Sequence, residues 1–216
     1  MKKFLILLLA LVAIPALATV YTDATGDEFS GNANLDISGA EITNDVTTLS
    51  FKINIVGDIV ATDWGKYMVG INSTTGGDTE HNGWNRPIGM SAGMDYWLGG
   101  WVDSGGGVQV WKWESNTWNQ TTNYTPTITA NAVTYTVNLS DLGLSPGNSF
   151  TFDIYSSGGN GSDGAIDALS TNSQTVSAWD EYYNSGSQVS SYTVPIPEPI
   201  IISLLMFSLG LFILRK

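Results

Sequence analysis

Seven of the eight tryptophans, Trp64, Trp84, Trp97, Trp101, Trp111, Trp113 and Trp118, crowd into one third of the chain, and Trp179 stands apart. A flat apolar ring stacks on the C–H face of a sugar, while nearby Asp, Asn or Arg groups bond its hydroxyls. The same ring also fills a core well, because each buries a large area. Trp111 and Trp113 share one face of a period-2 segment, with Val108, Val110 and Lys112 on the other. Trp97 and Trp101 also share a parity. Either set of rings is core or ligand face.

His81-Asn-Gly-Trp-Asn-Arg-Pro87 is a polar loop that holds the single histidine and a scarce basic residue. Arg86 can hydrogen-bond sugar hydroxyls or grip a carboxylate through its planar fork; the plainer reading is a structural ion pair. One histidine cannot build a histidine-rich zinc site and has no evident nucleophile to serve. The expected ligand residues are Trp84, Arg86, Trp97 and Trp101, with the rings stacking and Arg86 hydrogen-bonding.

Acidic loops offer a second chemistry. Asp78 and Glu80 alternate with Asn82 in a Gly-rich stretch, and Asp163 and Asp167 flank Gly164-Ala-Ile166. Hard oxygen ligands on a flexible loop suit Ca²⁺. These four carboxylates are the expected metal ligands, against the alternative of solvated turn residues. Neither stretch follows the EF-hand pattern. For catalysis the chain supplies acids but no distinguishing motif. There is no nucleophile elbow, no HExxH and no phosphate loop. With 20 acidic residues some pair will fall at glycosidase spacing by chance. The expectation is a protein that is not an enzyme.

The elements that must hold these residues read as strands. Thr48–Val56 alternates with Leu49, Phe51, Ile53 and Ile55 on one side, the signature of a half-buried strand. Lys66–Asn72, Ala132–Leu139 and Ser149–Tyr155 repeat the pattern. Asp95–Val102 and Val108–Trp113 flank the Gly-rich Asp103–Gly107, which predicts a hairpin. Ser140–Gly147 is the one helical turn expected, with Ser140 as a possible cap. Short strands separated by turn signals predict an all-β fold, a two-sheet antiparallel sandwich of jelly-roll type. It would span residues 19–184, followed by a linker over 185–194.

The ends read as addresses. Lys2 and Lys3, the apolar Phe4–Ile14 and Ala16-Leu-Ala18 form a secretory signal, residues 1–18, with cleavage before Thr19. At the other end Pro197-Glu198-Pro199 precedes an apolar run over 200–214 and Arg215-Lys216. The prolines stiffen and extend the chain. A run of 15 residues is short for a permanent span, which needs roughly 20. This three-part tail, residues 195–216, resembles the PEP-CTERM sorting signal of bacteria. The resemblance implies an exosortase-type membrane enzyme as partner, transient membrane anchoring, and a destination at the cell surface or in an extracellular matrix. A simple uncut C-terminal anchor is the alternative.

The formal net charge is −12, and four of the eight basic residues lie in the two terminal segments. The surface between them therefore repels phosphate backbones, and no nucleic-acid partner is expected. There is no cysteine, which excludes a disulfide framework and thiol catalysis.

Two stretches carry a further resemblance. Asp23-Ala-Thr-Gly-Asp27 is followed by Leu35-Asp-Ile37, Leu49-Ser-Phe-Lys-Ile53 and Gly57-Asp58. Trp64-Gly-Lys-Tyr67 and Gly70-Ile71 precede Asn82–Pro87, Met94-Asp-Tyr-Trp97 and Gly164-Ala-Ile-Asp-Ala168. The order is similar to the DOMON-like sandwiches, which include family 9 carbohydrate-binding modules. That resemblance implies a sugar-binding sandwich, often with structural calcium. Such modules usually ride on a catalytic domain, and this chain has none. The expected function is an exported, non-catalytic protein that binds carbohydrate or extracellular polysaccharide. A structural matrix protein without a defined ligand and a glycoside hydrolase are the alternatives.

Overall fold

The computed structural model describes residues 18–186 and 189–196. The expected secretory signal up to residue 17, the Pro197-Glu198-Pro199 motif and the apolar run over 200–214 lie outside the described residues. Among the described residues no helix is long and apolar enough to cross a membrane.

Among the described residues fourteen strands form: β1 (Thr19–Thr22), β2 (Ile37–Asn44), β3 (Thr48–Ile55), β4 (Lys66–Asn72), β5 (Ile88–Met90), β6 (Tyr96–Trp101), β7 (Gly107–Glu114), β8 (Thr117–Tyr124), β9 (Thr127–Thr129), β10 (Ala132–Asn138), β11 (Ser149–Ser157), β12 (Asp167–Ala168), β13 (Tyr183–Ser185) and β14 (Ser190–Thr193). One sheet runs β1-β2-β3-β10-β9 and the other β12-β11-β4-β6-β7-β8, with β14 also on β11. Both are antiparallel throughout. The expected all-β antiparallel sandwich is what forms.

The alternation in β3 does what period 2 requires. Leu49, Phe51, Ile53 and Ile55 are buried, and the residues between them are half-buried. Phe51 meets Phe152 of the opposite sheet with ring centroids 5.7 Å apart, and Phe150 at 6.2 Å. Burial of one such ring contributes roughly 2–3 kcal/mol. Tyr135 crosses from β10 and donates to the carbonyl of Tyr67 at 2.9 Å, so its hydroxyl is satisfied inside the core. The hairpin predicted around residues 103–107 joins β6 to β7. Ser104, Gly105 and Gly106 all have positive φ, and glycine relieves that conformation at two of the three.

Three local readings change. The turn after β10 is a 3-10 turn over Leu139–Leu142; Ser140 lies inside it, and the flanking Asn138 makes no side-chain cap bond. Ser190–Thr193, read as linker, pairs with Ser149–Phe152 as β14, and Val194 is fully buried behind it. β4 is buried on both faces rather than one. Its outward residues are covered by the excursion between β4 and β6 and by the segment from residue 158 to residue 186. That cover, which includes the parallel β5–β13 pair, makes a second core of Met68, Ile88, Met94, Trp97 and Tyr155.

Candidate functional site

The outer face of the β6-β7-β8 side carries the aromatic residues. Trp97, Gly99 and Trp101 alternate on β6, and register sets them beside Trp111, Gln109 and Gly107 of β7. On β7 the same face continues to Trp113, which pairs with Trp118 of β8. The cover layer reaches across β4 onto this side, where Gly83 packs against Trp111 and Asp78 accepts the Trp118 indole N–H. Trp97 lies under the cover, and Trp101, Trp111, Trp113 and Trp118 remain half-buried.

Trp84 descends from the His81–Pro87 loop into this row. Its ring lies over Gly99, and Trp101 is next to it at 6.5 Å between centroids with a 37° tilt. Its indole N–H donates to Gln109 Oε1 at 2.7 Å, and the Trp111 N–H donates to the same oxygen at 3.2 Å. Gln109 thus fixes two rings through one acceptor. Trp101 lies over Gly107 in the same manner. Trp113 and Trp118 form a tilted pair 5.6 Å apart, and the Trp118 N–H donates to Asp78 Oδ2 at 3.1 Å. Rings held this way are pre-oriented, so little freedom is lost when a ligand stacks on them.

Of the four expected ligand residues, the structure brings Trp84, Arg86 and Trp101 together and removes Trp97 from contact. Trp97 is fully buried and stacks on Tyr155 at 5.9 Å. It is a core residue because the cover layer closes over it. Arg86 is 5% exposed. Its Nη1 donates to Ser157 Oγ at 2.6 Å and to the Asp163 carbonyl at 3.1 Å, and its Cζ lies 5.5 Å from the Trp84 ring centre. Burial pulls its pKa down, while the nearby Asp163 charge opposes that. The expected ion pair with a carboxylate is absent among the described residues: Arg86 is anchored by a hydroxyl and a carbonyl. It also lines a groove of about 850 Å³ with Glu80, His81, Asn85, Asp180 and the exposed Tyr182. The aromatic row and the groove meet at this residue.

The four expected metal ligands do not converge. Asp78 Oδ1 accepts the backbone N–H groups of Glu80 and His81, both at 3.0 Å, and its Oδ2 takes the Trp118 indole. It caps a turn. Glu80 is exposed on the groove. Asp163 Oδ2 accepts the Asn160 N–H at 2.9 Å, closing a local turn. Only Asp167 belongs to a cluster that could hold an ion, and its companions there are Asp27 and Asp36.

That cluster lies at the β12 edge of the second sheet, the edge opposite β8. Carboxylate oxygens of Asp27, Asp36 and Asp167 lie within 4.8 Å of one another. Asp167 accepts the Ile37 N–H at 2.7 Å, a direct tie from β12 to β2. Asp36 accepts the Gly26 N–H at 2.8 Å. Burial, then the charges of neighbouring aspartates, push Asp23 up to about 8. Burial pushes Asp167 up to about 7, opposed by the Ile37 N–H and reinforced by Asp27. Asp23, Asp27 and Asp36 were not expected as ligands. The Asp23-x-x-x-Asp27 spacing was a usable signal, but its partner Asp167 is far off in sequence. The chain matches no protein-family model, and no curated protein or solved structure is significantly similar to it.

Proposed function

We propose that this domain is a non-catalytic carbohydrate-binding sandwich of an exported protein. The row of half-buried rings, Trp101, Trp84 and Trp111, carries the reading. Two of them have their polar N–H groups taken up by Gln109, so the ring surface that stays half-exposed is apolar. Half-buried aromatic surface next to a polar groove suits a ligand with one apolar and one hydroxylated aspect, and a sugar ring has both. Asn85 and Tyr182 supply hydrogen-bonding groups along the groove. Export, and processing by an exosortase-type enzyme at Pro197-Glu198-Pro199, complete the proposal and rest on the terminal sequences alone.

The test is binding of the purified protein to a broad panel of immobilised glycans. Saturable binding that falls at least tenfold in Trp84→Ala and in Trp101→Ala supports the reading. Failure of the folded protein to bind any glycan would move the assignment to a structural matrix protein. One observation already favours that second reading: the edge strand β8, Thr-Trp-Asn-Gln-Thr-Thr-Asn-Tyr, presents an exposed, uncharged amide and hydroxyl surface in an otherwise acidic chain. Such a surface suits hydration and spacing.

A further inference from the structure

The acidic cluster has a property that ordinary surface carboxylates lack. Both oxygens of Asp27, one of Asp36 and one of Asp23 are withdrawn from solvent and receive no hydrogen bond. Asp36 is 5% exposed, so its unpartnered Oδ1 faces the protein interior. A buried acceptor left unmade costs roughly 1–3 kcal/mol, and more when it is charged. Three of these four atoms belong to Asp27 and Asp36, whose carboxylates stand together with that of Asp167.

Among the described residues no basic side chain answers them. The three described lysines pair elsewhere: Lys52 with Glu41, Lys66 with Asp103 and Lys112 with Glu114. Arg86 is bound to Ser157 and the Asp163 carbonyl. The fold nevertheless builds the cluster with care. Asp167 is fixed by the N–H groups of Ile37 and Ala168, Asp36 by that of Gly26, and Asp23 by that of Ala24. In Asp36 and in Asp23 these bonds occupy one carboxylate oxygen and leave the other without a partner.

We propose that Asp27, Asp36 and Asp167, with Asp23 beside them, hold one divalent cation of the hard, oxygen-seeking class, with calcium as the best fit. Calcium takes oxygen ligands at roughly 2.3–2.6 Å, so oxygens on opposite sides of the ion stand roughly 5 Å apart. The cluster, with its oxygens within 4.8 Å, fits that shell. Magnesium keeps several waters and demands a tighter octahedron. The donor set has no nitrogen or sulfur, which disfavours zinc and copper. The ion would join the loop between β1 and β2, which carries Asp23, Asp27 and Asp36, to β12 of the opposite sheet. It is a clasp between the two layers, in a chain with no disulfide to do that task.

The experiment is calorimetric titration of the chelator-treated, full-length protein with CaCl₂ and with MgCl₂, together with thermal melting in CaCl₂ or chelator. The expected result is one calcium per chain, weaker magnesium binding and a higher Tm in calcium. Asp27→Asn removes a ligand without breaking any hydrogen bond, so it should fold. Asp27→Asn and Asp36→Asn are each expected to weaken calcium at least tenfold, as loss of even a supporting residue does. Asp78→Asn should leave calcium affinity unchanged. The proposal is overturned if the folded protein shows no calcium heat and no Tm change. It is equally overturned if Asp27→Asn raises Tm by the same amount in calcium and in chelator, since the carboxylates would then only share protons. Neither readout involves a glycan, so this proposal and the carbohydrate reading can fail separately.

Discussion

The ring of Trp84 lies so close over Gly99 that a β-carbon on residue 99 would stand 2.3 Å from it. The loop from His81 to Pro87 can dock on β6 only because that residue has no side chain. Gly99→Ala should therefore lift Trp84 off the sheet, break its bond to Gln109 and cost roughly 1–3 kcal/mol through overpacking. A urea melt checks the stability. A glycan affinity matching that of Trp84→Ala checks that the ring has moved. Unchanged stability and unchanged affinity would show that the loop reseats without loss.

Trp97 and Trp101 share a strand and a face, but their substitutions should separate. Trp97→Ala opens a cavity in the second core and is expected to cost roughly 3–5 kcal/mol. Trp101→Ala, at a half-buried position, should cost clearly less and lower glycan affinity instead. Chemical denaturation of the two variants side by side measures the contrast. Equal losses of stability would mean that both rings are core.

Asp153 gives the fold a pH response. It is fully buried, and burial pushes its pKa up to about 6, against hydrogen bonds from Ser185, Ser170 and Ile154 that favour the charged form. The folded state therefore holds this proton more tightly than the unfolded chain, whose carboxylate titrates near 3.8. The stabilisation is complete below about pH 4 and is lost as pH rises through about 6. A shift of about two units corresponds to about 3 kcal/mol. Asp153→Asn should remove this component, so the stability difference between wild type and variant changes across pH 4–6 and is flat above it. Denaturation curves at pH 4, 5, 6 and 7 measure it; parallel curves for the two proteins would refute the assignment.

Much of the sandwich was legible because its strands obey a local rule. Leu49, Phe51, Ile53 and Ile55 announce β3 by alternation, and Asp103–Gly107 announces the hairpin by its turn residues. β8 was not legible, since Thr-Trp-Asn-Gln-Thr-Thr-Asn-Tyr exposes most of its side chains and has no buried side to set a period. Its partner β7 supplies the ladder that makes it a strand. β14 was hidden for a similar reason: a short polar segment becomes a strand only because the open edge of β11 is there to pair with it.

The chemistry divides in the same way. Residue types and spacing by themselves determined that the chain is all-β, rich in tryptophan, acidic and without cysteine. For the ends they set only an expectation of export and sorting signals, on segments that lie outside the described residues. Only the tertiary structure decided which tryptophan meets solvent. Trp97 and Trp111 stand directly opposite each other in the ladder, yet one is fully buried and the other half-buried. The packing over Trp97 makes that difference, and part of it, Tyr155, Ala165 and Ala168, comes from far along the sequence. Ile37 and Asp167 are 130 residues apart, and their hydrogen bond helps to bring the carboxylates together. Periodicity reports which way a side chain points from its own strand. What waits on that side depends on packing between distant elements, which no local pattern encodes.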